Sequence, residues 1–302
     1  MSRPNAPDPA IREAVVRQDL GNVLHPIVQH RVLETQQIVV TNAEGSTIYD
    51  ADGTAYLDAM AGLWCVNIGY GRVELAEVAA EQLRQLAYYP HSQMNAPAAE
   101  LAEMINNLLG GAYHIYFVNS GSEANEAGFK FARQYMKHEF PGQYRFKTIS
   151  RYFAYHGTTL ATLDAGGMGE RKAKFEPYSG DFVHVAHPHC YRCPFGLEYP
   201  SCNLACVKNI ENTILGEGPE TIGAILVEPI MSGVGVSVPP DEYLPEVEKL
   251  CRKYDILLST RSSTASAAPA RCSRISTTTC PPTSWRSPRA SPAPTCRSPR
   301  RR

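Results

Sequence analysis

The sequence predicts an α/β fold, a helix-covered, mostly parallel sheet preceded by a small antiparallel meander. Three observations lead there. Short apolar strand signals alternate with amphipathic helical patterns up to residue 258, Gly- and Ser-rich turns mark the hand-over from strand to helix, and the region ahead holds three short strand signals around an Asp52-Gly53 turn.

Taken in order, residues 1–24 read as a loose arm and a short helix. Ile38–Val40, Thr47–Tyr49 and Ala55–Leu57 make the meander. Helical patterns follow at Val73–Tyr88 and Pro97–Leu109, the second opening on a proline, which lacks only an N–H that the first turn cannot use. Strands are then expected at Tyr113–Val118, Lys147–Ser150, Phe182–Val185, Ile222–Val227 and Ile256–Leu258. The helices between them are Ser122–His138, Thr158–Ala165, Cys202–Leu215 and Glu242–Tyr254. Such a sheet gathers ligands beyond the carboxyl ends of its strands. No internal repeat is visible.

After Leu258 the composition changes. Residues 259–302 contain nine Arg, no Leu, Val, Phe, Tyr, Lys, Asp or Glu, and only Ile275 and Trp285 as large apolar residues. A stretch like this buries too little surface to offset its ordering entropy, so it is expected to be disordered. The formal charge of −1 hides an acidic body, since residues 1–258 hold 20 basic against 30 acidic side chains. That argues against nucleic acid as a partner. No secretory leader and no 18-residue apolar run is seen, so a soluble, cytoplasmic protein without membrane contact is expected. The nine cysteines are then expected to be reduced.

Three motifs carry the chemistry. Asn119-Ser120-Gly121-Ser122-Glu123-Ala124-Asn125-Glu126 stands where a strand meets a helix, so hydroxyls, a close-approach glycine and free helix N–H groups make a phosphate cradle. The same Ser with an acidic first turn also reads as a plain N-cap. Tyr155-His156-Gly157 lies on the same sheet edge and offers a ring that stacks on a flat heteroaromatic, or else a core tyrosine. Glu228 ends an apolar strand before Ser232-Gly233-Val234-Gly235, either facing the site or anchoring the loop.

In this order and spacing the residues resemble the class III aminotransferases of the fold-type-I pyridoxal-phosphate superfamily, over about residues 30–258. The run Ala61-Gly62-Leu63-Trp64-Cys65-Val66-Asn67-Ile68-Gly69-Tyr70-Gly71 belongs to the resemblance. It implies that Ser120, Gly121 and Ser122 hold the phosphate of pyridoxal 5'-phosphate and that Tyr155, with His156 and Gly157, meets its ring. It also implies that Glu228 orders the site and that Trp64 and Tyr89 line the amine pocket. It divides the chain into an arm and small-domain meander (1–60), an incomplete large domain (61–258) and an aberrant tail (259–302). The branch most resembled transfers amino groups from ω-amino acids to pyruvate, with taurine or β-alanine as the expected amine, and works as a homodimer.

The resemblance requires an Asp on the strand beginning at Ile256 and, later, a Lys that bonds the cofactor aldehyde. Neither is present. Back-translating Ser259–Ser263 and regrouping one base earlier gives apolar-Asp-Glu-Val-Val. Thr264–Arg271 regroups as X-Gly-Phe-Gly-Arg-Thr-Gly, and Pro288–Ser298 permits Lys-Gly-Ile-Thr-Ser-Ala-Tyr-Leu-Pro-Leu. A one-nucleotide shift near codon 258 accounts for all three, and the chain as written is then expected to be inactive. A noncatalytic module that binds the cofactor or another phosphorylated ligand is the alternative; a natural Arg-rich tail is another.

Cys190, Cys193, Cys202 and Cys206 have spacings that suit a structural zinc, although packing thiols fit too.

Overall fold

The computed structural model describes residues 9–260 apart from Ile27 and Ala112. The start of the arm and the tail from residue 261, with the regrouped segments 264–271 and 288–298, lie outside the described residues. Two compact units divide between Asn95 and Ala96.

In the first unit, α1 (Pro9–Asn22) and α2 (His30–Leu33) precede β1 (Val40–Glu44), β2 (Thr47–Asp50) and β3 (Ala55–Leu57). The three strands form an antiparallel sheet in chain order. β1 lies further along the chain than Ile38–Val40 because the tight turn at Gly45-Ser46, with Gly45 at φ 57°, pairs Glu44 with Thr47 and so sets the register. At the next turn, Asp50 Oδ1 accepts the N–H groups of Asp52 and Thr54 at 3.0 and 2.7 Å, and Oδ2 accepts the Tyr56 hydroxyl at 2.8 Å. α3 (Ala61–Trp64) and α4 (Val73–Gln85) complete the unit.

The second unit runs α5 (Ala96–Leu108), α6 (Gly121–Glu139), β4 (Lys147–Arg151), α7 (Leu160–Ala165), α8 (Gly169–Lys172) and β5 (Phe182–Val185). It continues with α9 (Ala205–Glu217), β6 (Ile222–Val227), α10 (Tyr243–Tyr254) and β7 (Leu257–Thr260). Its sheet has the order β5-β4-β6-β7, parallel throughout, as the alternation of strands and helices predicts. Every residue of β6 is buried, which explains its unbroken apolar run. Alternate side chains face opposite layers. Leu226 packs with Phe129 of α6, Ala165 of α7 and Phe182. Ile225 and Val227 join Ile210 and Ile214 of α9 and Val247 and Leu250 of α10. Each such side chain, fully buried, contributes roughly 1.5–3 kcal/mol.

Three expectations are corrected. Tyr113–Val118 is not a strand, because a run of high β-propensity becomes one only with a ladder partner, and none pairs with it among the described residues. β7 continues through Ser259 and Thr260, which pair with Leu226 and Val227, so the first two residues of the expected tail lie in the sheet; backbone pairing is indifferent to the change in composition. α9 begins at Ala205, since Asn203 and Leu204 adopt left-handed backbone at φ 46° and 52°, so Cys202 stands outside the helix and does not share a face with Cys206. No helix among the described residues is long and apolar enough to cross a membrane.

Candidate active site

The start of α6 is closed by two side-chain-to-backbone bonds. Ser120 is extended at φ −149°, its Oγ accepts the Glu123 N–H at 3.2 Å, and Glu123 Oε2 accepts the Asn119 N–H at 2.7 Å. The N-cap reading is therefore realised, and it leaves the cradle intact. The N–H groups of Gly121 and Ser122 lie in the first turn, where no intrahelical acceptor reaches them, at the positive end of a 19-residue helix. Both serine oxygens act as acceptors, Ser120 from Glu123 and Ser122 from the Thr158 N–H at 3.1 Å. Their own hydrogens stay available to donate. Four donors thus meet at one half-exposed corner, which is the donor set a phosphate dianion requires.

α6 also holds the Tyr155 loop. Asn125 Nδ2 donates to the His156 carbonyl at 2.6 Å in a buried bond, and the Thr159 hydroxyl donates to Glu126 Oε1 at 2.6 Å. Gly157, at φ 142°, is needed for this contact, because a Cβ there would lie 2.4 Å from Ser122 Oγ and 2.5 Å from Thr162 Oγ1. Tyr155 is half-buried, with one ring face 5.3 Å from the Arg171 guanidinium carbon. His156 is fully buried. Gly157 serves the loop-to-helix contact.

Glu228 emerges from β6 into a buried polar cluster. Arg151, the last residue of β4, donates through Nη2 to the Glu228 carbonyl at 2.6 Å and lies 3.9 Å from Oε2. Its guanidinium also stands 5.9 Å from the Tyr243 ring. The bond to the Glu228 carbonyl ties the end of β4 to the exit of β6. Nearby, burial pushes the His187 imidazole below its ordinary value, helped by His189 and Arg151.

Trp64 and Tyr89 belong to the first unit and are 56% and 50% exposed, so neither is a core residue. The Trp64 turn hangs on Asp58, whose Oδ2 accepts the Tyr70 hydroxyl at 2.8 Å and the Gly62 N–H at 2.6 Å; these bonds hold its carboxyl below the usual carboxylate range.

The six described cysteines are unbridged. Cys190, Cys193, Cys202 and Cys206 line one small cavity with His187 and His189, yet no three His, Cys, Asp or Glu side chains among the described residues are arranged to hold a metal ion.

The sequence motifs included Asn125 and Thr158 without foreseeing their contacts, and sequence reasoning missed Arg151 and Arg171. Asn125 had a signal, since it shares the buried stripe of α6 with Phe129 and Met136, where a polar residue needs a partner.

Residues 27–260 match the profile described as Aminotransferase class-III. The chain belongs to the class III aminotransferases. It is 50% identical over 226 residues to an uncharacterised aminotransferase of Bacillus subtilis, covering 74% of this chain and 49% of the relative. It is 40% identical over 248 residues to the hypotaurine/taurine–pyruvate aminotransferase of Paracoccus denitrificans, covering 81% and 53%. A Bacillus anthracis aminotransferase superposes with a TM-score of 0.78 at 42% identity, over 84% of this chain and 56% of that one. The ω-transaminase of Pseudomonas jessenii in complex with PMP gives 0.76 at 34%, over 82% and 55%. The fold is accordingly the fold-type-I α/β domain of pyridoxal-phosphate-dependent transaminases. This class III chain spans about half the length of the curated relatives it matches.

Proposed function

We propose that this class III half-domain holds pyridoxal 5'-phosphate and, within a complete fold, serves transamination from an ω-amino acid or amine to pyruvate, giving an aldehyde or oxo acid and alanine. Taurine and β-alanine are the first candidates. The observation that carries the reading is the docking of α6 on the Tyr155 loop through Ser122 and Asn125, which brings anion donors and an aromatic ring to one place. Relatives named for taurine–pyruvate and putrescine–pyruvate transfer support the amine class.

The residues divide the task. Gly121 and Ser122 N–H groups and the Ser120 and Ser122 hydroxyls bind the phosphate; Tyr155 orients the ring by stacking. Glu228, held by Arg151, fixes the exit of β6 beneath it. Trp64 and Tyr89 shape the amine pocket. Bound there, the cofactor supplies an electron sink for the amine carbon. The proton on that carbon needs a lysine near the ring, and no lysine follows Lys253 in the sequence. The frameshift reading supplies that lysine and the ring-nitrogen aspartate, and implies that the chain as written is inactive. The intact enzyme is proposed to be a cytoplasmic homodimer.

A second reading is a noncatalytic module that binds the cofactor reversibly. Sequencing the gene from codon 250 onward tests the first. A single base that restores Asp-Glu-Val-Val and Lys-Gly supports it, and a confirmed tail with no aminotransferase frame downstream rejects it. Dialysis of the loaded 302-residue chain followed by its absorbance spectrum tests the second: a free-aldehyde spectrum and cofactor that washes away are the expected result, and a stoichiometric aldimine band that survives dialysis rejects it.

A further inference from the structure

We infer that Arg171 is a positioning residue for the ring-binding face of Tyr155: its guanidinium covers one face of the phenol ring and so presents the other to a flat, phosphorylated pyridine. The inference rests on the cradle reading above and extends it to a residue outside the motifs.

The guanidinium carbon lies 5.3 Å from the ring centroid, within cation–π range. Contact with an exposed arginine usually means little, because a long side chain samples many positions. Here the perch itself is fixed. α8, which carries Arg171, is tied to α7 by Lys172 Nζ, which donates to the Asp164 carbonyl at 2.9 Å and lies 3.2 Å from Asp164 Oδ1; both side chains are largely buried. The chain entering α8 is tied to the tyrosine's own loop, since the Phe153 N–H donates to Gly167 O and the Gly167 N–H to Ala154 O, each at 2.9 Å. Gly167 permits this, as a Cβ there would stand 2.1 Å from the Arg151 carbonyl oxygen. Arg171 and Tyr155 thus rise from two segments laced together by backbone bonds. Their rings of contact are set by the scaffold, and both line one narrow crevice of the second unit with Met168 and Leu163.

One consequence follows for a ligand. The cation restricts the tilt of a half-buried ring, which lowers the ordering cost when a pyridine stacks on it.

Pyridoxamine 5'-phosphate is the probe, because it has no aldehyde to bond surface lysines. Its dissociation constant is measured by equilibrium dialysis on the full 302-residue chain and on Arg171→Met, Arg171→Lys, Tyr155→Leu and the Arg171→Met/Tyr155→Leu pair, each with a melting curve to confirm folding. Arg171→Met is expected to weaken binding about three- to fivefold. Arg171→Lys should recover part of that loss, since an ammonium keeps the charge and loses the planar contact. In the Tyr155→Leu background the Arg171→Met change should cost nothing further. An unchanged or tighter Arg171→Met overturns the inference, and so does an equal loss in both backgrounds, which would make Arg171 a plain attractor of phosphate charge. If the parent chain fails to bind the probe, the cradle reading falls and this inference with it; binding by the parent with no effect at Arg171 removes the inference alone.

Discussion

Arg151 and Glu228 are joined twice in the buried floor of the second unit, by a 2.6 Å hydrogen bond from Nη2 to the glutamate carbonyl and by a 3.9 Å approach of the same nitrogen to its carboxylate. Both side chains are 1% exposed. Arg151 Nε and Nη1 find no acceptor among the described residues, so the arginine is held there by geometry and charge rather than by full hydrogen bonding. Replacing the cation alone leaves a carboxylate in an apolar floor. Arg151→Met should therefore lower the unfolding free energy by about 3–5 kcal/mol in urea. Adding Glu228→Gln should restore part of it, and a double variant as unstable as the sum of the singles would show that the pair is uncoupled.

Gly157→Ala tests the docking of α6. The new Cβ would meet two hydroxyl groups closer than any ordinary contact, at a backbone angle that L residues avoid. A loss of about 1–3 kcal/mol in stability is expected, with pyridoxamine 5'-phosphate binding lost together with the Ser122–Thr158 bond. Wild-type affinity in the variant would show that the loop and the cradle are independent.

The imidazole of His184 gives a pH signature. Desolvation, with the Lys172 charge, pushes it below its ordinary value, against the bond it makes to Gly166 O at 3.0 Å. The unfolded chain thus binds a proton at higher pH than the folded one. Stability is complete above the unfolded value and falls as pH drops from about 6.5. His184→Gln should flatten the fall in melting temperature between pH 7 and 5; an identical slope would assign it to other groups.

Thiol labelling should follow desolvation. Burial pushes Cys206 up to about 11 and Cys251 up to about 12, whereas Cys65 is exposed. At pH 8 a disulfide reagent followed by peptide mapping should modify Cys65 well before Cys206, and Cys251 only after denaturant is added. Early modification of Cys251 would mean that α10 opens readily from the core.

The sheet and its helices were legible because each rests on a local pattern: β6 on six consecutive apolar residues, α10 on its amphipathic repeat and α6 on Ser120 with Glu123. The site was legible as motifs and illegible as contacts. Nothing local announces that Tyr113–Val118 lacks a partner strand, that Asn203 and Leu204 turn left-handed, or that His156 faces inward, since each depends on segments far away in sequence. Arg171 could not be singled out for the same reason: its meaning comes from Gly167 closing against the Arg151 carbonyl.

β7 pairs with β6 along one side only among the described residues, at the margin of a parallel sheet. Its outer row of peptide groups is a template on which another extended segment can add a strand, whether from the same chain or from a neighbour. Concentration then becomes a structural variable. Edge-to-edge association that grows with protein concentration is the expected outcome, read by sedimentation of the chain over a range of concentrations.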